Sequence, residues 1–223
     1  MFSPRHPDYF RLARLRSAVI TLEGLIATGK STAGRSLERY LNQAGVLAKF
    51  FPEYCNETLL SQYIGDMPRY AYTFQLFMLG KRIAIYQEAE RFAAGGGVAI
   101  IDRSILGDMT FARMQHQAGF ITDSEWEAYV SIMKQEIQLA PLANVFLDCR
   151  AEASLRRVSC RGNPAEVEGY SLEYMQKLKE AYIETLAESR EVKHIILDWD
   201  EDRLLDEEGL LFDADCRLIL EEI

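Results

Sequence analysis

The stretch from Ala18 to Thr32, AVITLEGLIATGKST, constrains this chain more than any other. Val19, Ile20 and Leu22 are apolar and partly β-branched, which suits a short buried strand. Gly24-Leu25-Ile26-Ala27-Thr28-Gly29-Lys30-Ser31 then satisfies G-x-x-x-x-G-K-[ST] in full. The spacing carries its own chemistry. Gly24 and Gly29 let the chain bend so that successive N–H groups point inward, with those of Ala27, Thr28 and Thr32 available to ring a phosphate. Lys30 adds a mobile positive charge, and Ser31 offers a hydroxyl to a magnesium ion. Ser31 to Asn42 reads as a helix whose N-terminal dipole also faces the anion. The bland alternative is a glycine turn with Lys30 solvated. Strand and helix flank the motif in the required order, so the phosphate site is the stronger reading.

A length of 223 residues is large for one domain and small for two, and no linker, repeat or low-complexity block divides it. Residues 1–223 read as a single domain. The net charge of −9 argues against a general nucleic-acid binder. Cys55, Cys149, Cys160 and Cys216 are scattered without metal-ligand spacing, the pattern of reduced thiols in a cytosol-like compartment. No apolar run is long enough to span a membrane. Residues 1–16 carry Arg5, Arg11, Arg14 and Arg16 against Asp8 alone. A mitochondrial transit peptide shows that bias, but Pro4, Pro7 and Asp8 work against its amphipathic helix. A basic surface arm on a cytoplasmic protein is the better expectation.

Along the chain, Val46–Phe51, Val98–Ile101, Asn144–Asp148 and His194–Leu197 read as further strands. Helices are expected over Asn56–Ile64, Tyr70–Ala94, Asp108–Gln117, Asp123–Gln138, Ala151–Cys160 and Ser171–Glu191. The leucine-bearing acidic tail suits a last packing helix. Strands alternating with helices imply an α/β fold with a five-stranded parallel sheet and right-handed crossovers. In such sheets ligands bind outside the carboxyl ends of the strands. Glu53 follows one strand there, and Asp102-Arg103-Ser104 follows another. A carboxylate beside a substrate hydroxyl can take its proton during attack on a phosphate. Arginines around the moving group stabilise its charge, and the basic stretch Arg156 to Arg161 before Gly162-Asn163-Pro164 suits an arginine-rich lid. Singly, each has a bland reading of equal weight, with Glu53 and the lid arginines solvated and Arg103 paired to Asp102; together they fall at one edge.

These residues resemble the deoxyribonucleoside kinases of the cellular and viral type, over nearly the whole chain. Phe51-Pro52-Glu53 matches the family's strand-end Pro-Glu, Tyr72-Thr73-Phe74-Gln75 its aromatic-x-x-Gln, and Asp102-Arg103-Ser104 its acid-Arg-Ser. The resemblance implies a P-loop kinase fold, ATP and Mg²⁺ as cofactors, and a homodimer. It implies that Glu53 is the general base, that Lys30 and Arg103 complete the catalytic set, and that Ser31 and Asp102 address the metal. Gln75 would read the base edge with Phe74 and Phe111 stacking nearby. Arg82 and Asp108 are the pair that goes with purine or cytosine bases rather than thymine. Arg157 and Arg161 match the lid, and Asp200 lies in the adenine-side loop. Tyr63, one residue off register, would meet the sugar. One of the acids Glu166 and Glu168 would contact the 3′-hydroxyl, with Glu168 carried as the candidate.

The expected activity is transfer of the γ-phosphate of ATP to the 5′-hydroxyl of a deoxyribonucleoside, in nucleotide salvage. A thymidylate-type nucleoside monophosphate kinase shares the fold and lid, but it needs a basic pocket for the acceptor's phosphate. A nucleotide-binding switch without an acceptor is the rival from another class; the chain has no Asn-Lys-x-Asp guanine signature.

Overall fold

Five apolar segments, spaced by amphipathic ones, pair into a single parallel sheet in the order β2-β3-β1-β4-β5. The computed structural model describes residues 6–136 and 140–223. A short helix α1 (Tyr9–Leu12) and a 3₁₀ turn precede β1 (Ala18–Glu23), and α2 (Lys30–Gln43) leads to β2 (Ala48–Phe51). Then come α3 (Glu57–Gly65), α4 (Met67–Ala94), β3 (Val98–Asp102), α5 (Ile105–Gln117) and α6 (Asp123–Glu136). The chain closes with β4 (Ala143–Asp148), α7 (Ala151–Arg161), α8 (Pro164–Gly169), α9 (Leu172–Glu188), β5 (Lys193–Asp198) and α10 (Asp213–Glu221). The chain builds β2 and β3 on one side of β1 and β4 and β5 on the other. The direction of winding therefore reverses beside β1, which opens a crevice at the carboxyl edge.

Residues of β1, β3 and β4 are buried on both faces, so these strands read as continuous apolar runs rather than alternating ones. One face is covered by α2 and α10, where Leu37, Leu41 and Ile219 meet Ile20, Leu22 and Val145. The other carries α4 with α3, α5 and α6. A third apolar cluster joins α7 and α9 to Leu25, Ile26 and Phe146 at the site's floor. Helix α2 approaches β2 so closely that a Cβ on Gly34 would lie 2.1 Å from the Phe50 ring.

Several element ends differ from expectation for identifiable reasons. Val46 belongs to the turn closing α2, its N–H donating to the Leu41 carbonyl at 2.9 Å, so β2 starts at Ala48. Ser104 caps α5 by accepting from Leu106 and Gly107, which starts that helix at Ile105 rather than Asp108. Asp66 caps α4 and Pro68 fits its first turn, bringing the start back to Met67. Residues 137 and 138 of the helix expected over Asp123–Gln138 lie outside the described residues. The basic arm is also not a surface arm throughout. Leu12 and Leu15 are buried, and Asp8 accepts from Arg217 at 3.0 Å and from Tyr40, tying the segment to α2 and α10. Residues 1–5 of that arm lie outside the described residues. All four cysteines are free thiols.

Candidate active site

Beyond β1 the backbone takes three positive φ values, at Gly24 (144°), Ala27 (57°) and Gly29 (95°), and this folds the loop over the head of α2. Lys30 is buried and turns back across the loop, donating to the Leu25 carbonyl at 2.7 Å and more weakly to Gly24 and Thr28. Burial, with help from nearby Arg103, lowers its pKa to about 8 against the pull of Asp102, Glu53 and Glu23. Beside it the Ser31 hydroxyl donates to Asp102 Oδ2 at 2.5 Å. Burial raises the Asp102 pKa, partly offset by Lys30, and its Oδ1 is buried without a hydrogen-bond partner. A hydroxyl and an under-satisfied carboxylate are the hard oxygen donors that a small divalent cation takes when phosphates complete its shell, so these two residues fit Mg²⁺.

Across the crevice, Glu53 projects from just past β2. It accepts from Arg82 on α4, and Nε of Arg103 lies 3.3 Å from its Oε1. Burial alone would raise its pKa; the cations Arg103, Arg82 and Lys30 outweigh that and hold it down at about 2. Arg103 follows β3 with a left-handed backbone (φ 69°). Its guanidinium donates to the Gly24 carbonyl at 3.1 Å and to the Tyr182 hydroxyl, and lies 4.6 Å from the Phe111 ring centroid. Arg82 also pairs with Asp108, which accepts from Tyr129 at 2.7 Å. Farther in, Gln75 donates to the Asp108 carbonyl at 3.0 Å, and Phe74 stacks on Tyr63 at 4.7 Å between centroids.

Lys30, Ser31, Asp102, Glu53, Arg82, Arg103, Phe111, Gln75, Phe74 and Tyr63 line one cavity of about 480 Å³, which also takes in Arg157 and Arg161 from α7. Phosphate-type donors occupy one end, a side-chain amide with aromatic faces the other, and Glu53 and Arg103 stand between them.

A family model described as deoxynucleoside kinase matches residues 20–211. The chain belongs to the deoxynucleoside kinase family. It is 30% identical to a deoxyadenosine kinase of Dictyostelium discoideum over 87% of this chain and 78% of that one. It is 29% identical to deoxycytidine kinase 2 of Gallus gallus over 85% and 84% of the two chains. The fold matches a structure of deoxyadenosine kinase from M. mycoides with bound dATP at a TM-score of 0.73 and 19% identity, covering 92% of this chain and 98% of that one. This enzyme is therefore a deoxynucleoside phosphotransferase.

Within the kinase, the cavity gathers most of the residues singled out from sequence: Ala27 to Thr32, Glu53, Tyr63, Phe74, Gln75, Arg82, Asp102, Arg103, Phe111, Arg157 and Arg161. Gly24 and Asp108 lie behind its wall, each tied to a lining arginine. Asp200 instead accepts from Arg150, at 2.8 Å from its N–H and 2.5 Å from Nε, while its carbonyl accepts from Arg157 at 3.0 Å. Glu168 requires correction. It is exposed and outside the cavity, whereas Glu166 is buried in the cavity wall and accepts from Arg161 at 2.6 Å. Asn163 and Pro164 start α8 rather than merely breaking α7, since the Asn163 side chain accepts from the Ala165 N–H. On that helix Glu168 points roughly opposite Glu166, at about 100° per residue, and Tyr170 follows as the extended C-cap residue.

Sequence reasoning also missed Tyr170 and Tyr174, which line the cavity, and the buried pair Glu23 and Tyr182 beneath it. Glu23 accepts from the Ser104 N–H at 2.7 Å and its hydroxyl at 2.5 Å, and from Tyr182 at 3.1 Å, anchoring the turn that carries Arg103. Burial raises the Glu23 pKa, with Arg103 and Ser104 opposing.

Proposed function

We propose that this kinase transfers the γ-phosphate of ATP to the 5′-hydroxyl of a deoxyribonucleoside bearing a purine or cytosine base, in nucleotide salvage. The observation that carries the reading is the place of Glu53, between the lysine loop and the Gln75 end and held from both sides by Arg82 and Arg103. At neutral pH Glu53 is fully ionised and accepts the 5′-hydroxyl, orienting its oxygen toward the donor. Phosphoryl transfer runs through a loose transition state in which positioning and charge stabilisation dominate, so a weak base suffices. Lys30 and the loop N–H groups hold the donor phosphates. Arg103, Arg157 and Arg161 spread over the charge that develops on the transferred group. Ser31 and Asp102 would hold Mg²⁺, which supplies charge neutralisation on the phosphates.

At the other end, Gln75 offers a donor and an acceptor to a base edge, with Phe74 and Phe111 as flat neighbours. Tyr63, whose hydroxyl meets that of Tyr174 at 3.1 Å, and Glu166 are placed for the sugar. Arg82 and Asp108 form a buried couple that favours purine or cytosine over thymine, in keeping with the names of the deoxyadenosine and deoxycytidine kinase relatives. The proposal extends to a homodimer in the cytoplasm. Among the described residues no helix is long and apolar enough to cross a membrane.

The test is ATP-dependent phosphorylation of deoxyadenosine, deoxyguanosine, deoxycytidine, thymidine and their 5′-monophosphates, with Glu53→Gln beside the native kinase. Turnover of nucleosides that collapses in the variant supports the reading. Turnover of monophosphates alone transfers the site to a monophosphate kinase, and ATP binding without any acceptor to a nucleotide switch. Light scattering of the purified kinase settles the dimer.

A further inference from the structure

Arg103 meets the cavity with one side of its guanidinium and the protein interior with the other. On the interior side Nη1 donates to the hydroxyl of Tyr182, and that hydroxyl donates to Oε2 of Glu23 at 3.1 Å. Tyr182 and Glu23 are both wholly buried. We propose that Tyr182 is a positioning residue for phosphoryl transfer: its hydroxyl, tied from behind by Glu23, pins the Arg103 guanidinium in the cavity wall. This deepens the reading of Arg103 as a group that stabilises the transferred phosphoryl, and rests on it.

The direction of each bond follows from what the groups can do. A guanidinium only donates, so the Tyr182 oxygen accepts from Arg103 and its one hydrogen is left for Glu23. Glu23 is locked in turn. Its Oε1 accepts from the Ser104 N–H at 2.7 Å and from the Ser104 hydroxyl at 2.5 Å. That hydroxyl itself accepts from the N–H groups of Leu106 and Gly107, so its single hydrogen belongs to Glu23. Three donors thus hold the carboxylate in place and favour its ionised form against the cost of burial. Nη1 of Arg103 carries two hydrogens, one for the Tyr182 oxygen and one for the Gly24 carbonyl at 3.1 Å. Two fixed acceptors set both the plane of the guanidinium and its direction within that plane. One acceptor alone leaves it free to pivot about the bond that remains. The contact on the cavity side, Nε to Glu53 at 3.3 Å, involves the carboxylate that the substrate hydroxyl engages. The support that persists through turnover therefore lies behind the arginine, and misplacing such a group by about 1 Å can cost roughly 10²-fold in rate.

Tyr182 does not line the cavity, so it touches no substrate and acts only through Arg103. Tyr182→Phe removes the hydroxyl and keeps the ring that packs on Phe146 and Phe111. The measurement is the single-turnover rate of phosphoryl transfer to the best accepted deoxynucleoside, with the ATP and nucleoside concentrations that half-saturate it. The native kinase, Tyr182→Phe, Arg103→Ala and the double variant are compared, each well below its own melting midpoint. Tyr182→Phe is expected to lower the saturated rate about tenfold or more and to leave both half-saturating concentrations within about twofold. In the Arg103→Ala background it is expected to lower the rate no further. An unchanged rate in Tyr182→Phe overturns the proposal, as does a loss confined to the half-saturating concentrations. The same factor lost with and without Arg103 also overturns it, since the tyrosine then supports the fold and not the arginine. A second readout needs no variant of Tyr182. In ¹⁵N-arginine-labelled kinase, the Arg103 signals (those missing from Arg103→Ala) are expected to show two separate Nη resonances, the mark of a guanidinium that does not rotate freely. A single averaged Nη signal in the native kinase overturns the pinning outright. A native rate in Arg103→Ala defeats the parent reading of Arg103 and the proposal with it, an outcome distinct from an unchanged rate in Tyr182→Phe.

Discussion

Nε of Arg103 lies 3.3 Å from Oε1 of Glu53, so a residue following β3 and a residue following β2 are joined at the middle of the cavity. The contact gives the carboxylate a fixed direction and keeps it ionised. Glu53→Gln preserves size and one acceptor but loses the ability to take a proton. The nucleoside kinase activity is expected to fall roughly 10²–10⁴-fold, with the loss in kcat. Binding of ATP alone, followed by calorimetry, is expected to stay close to native.

The pH profile separates Lys30 from Glu53. Glu53 is held at about 2, so it stays charged across the working range and contributes no acid limb above pH 3 or so. Lys30 is lowered to about 8, chiefly by burial, so in the free kinase it loses its charge as pH rises through that value. The value of kcat/KM for ATP is therefore expected to decline above pH 8. Bound phosphates favour the ammonium form, so the corresponding limb in kcat moves to higher pH. Steady-state kinetics from pH 5 to 10 checks both signs. An acid limb in kcat near pH 4 or 5 that vanishes in Glu53→Gln would contradict the low Glu53 value.

How much of this was legible in the sequence depends on how locally each part is written. The glycine–lysine loop and the strand-end Glu53 and Asp102-Arg103-Ser104 are contiguous, and each sits where a parallel sheet opens its ligand edge. The buried support of the site is not contiguous. Glu23 is bonded by Tyr182, a partner 159 residues away, and nothing in a strand ending Leu-Glu announces it. Gln115, bonded to Gln75, reads as one more polar residue near a helix end until α4 and α5 are packed together. The choice between Glu166 and Glu168 turns on local phase: Gly162-Asn163-Pro164 ends one helix and begins another, and only the phase of the second shows which acid turns inward. Gly162 adopts φ 73° to close α7, and Asn163 then caps α8.

Gly34 tests the packing that supports the loop helix. A Cβ there would lie 2.1 Å and 2.3 Å from the Phe50 ring, which is buried between α2 and β2. Gly34→Ala removes a backbone-entropy penalty worth roughly 0.5–1 kcal/mol in a helix, but it forces α2 and β2 apart. Overpacking of this kind costs about 1–3 kcal/mol, so the clash is expected to win. Urea denaturation should show a lower midpoint. The opposite sign would mean that the ring swings aside freely and that α2 is not held by this contact.

Glu166 and Glu168 provide the last comparison, because they differ in phase on one short helix and in little else. Glu166 faces the cavity and holds Arg161 at 2.6 Å, while Glu168 faces solvent. Glu166→Ala removes a carboxylate from the cavity wall and frees Arg161 from its position. Its kcat/KM for the nucleoside is expected to fall by about tenfold or more, the loss expected when a charged hydrogen bond to the substrate, worth about 1.5–3 kcal/mol, is removed. Glu168→Ala is an exposed change and is expected to stay within about twofold, equivalent to under 0.5 kcal/mol. Equal effects at the two positions would show that α8 turns in the substrate complex. A larger effect at Glu168 would restore it as the sugar contact.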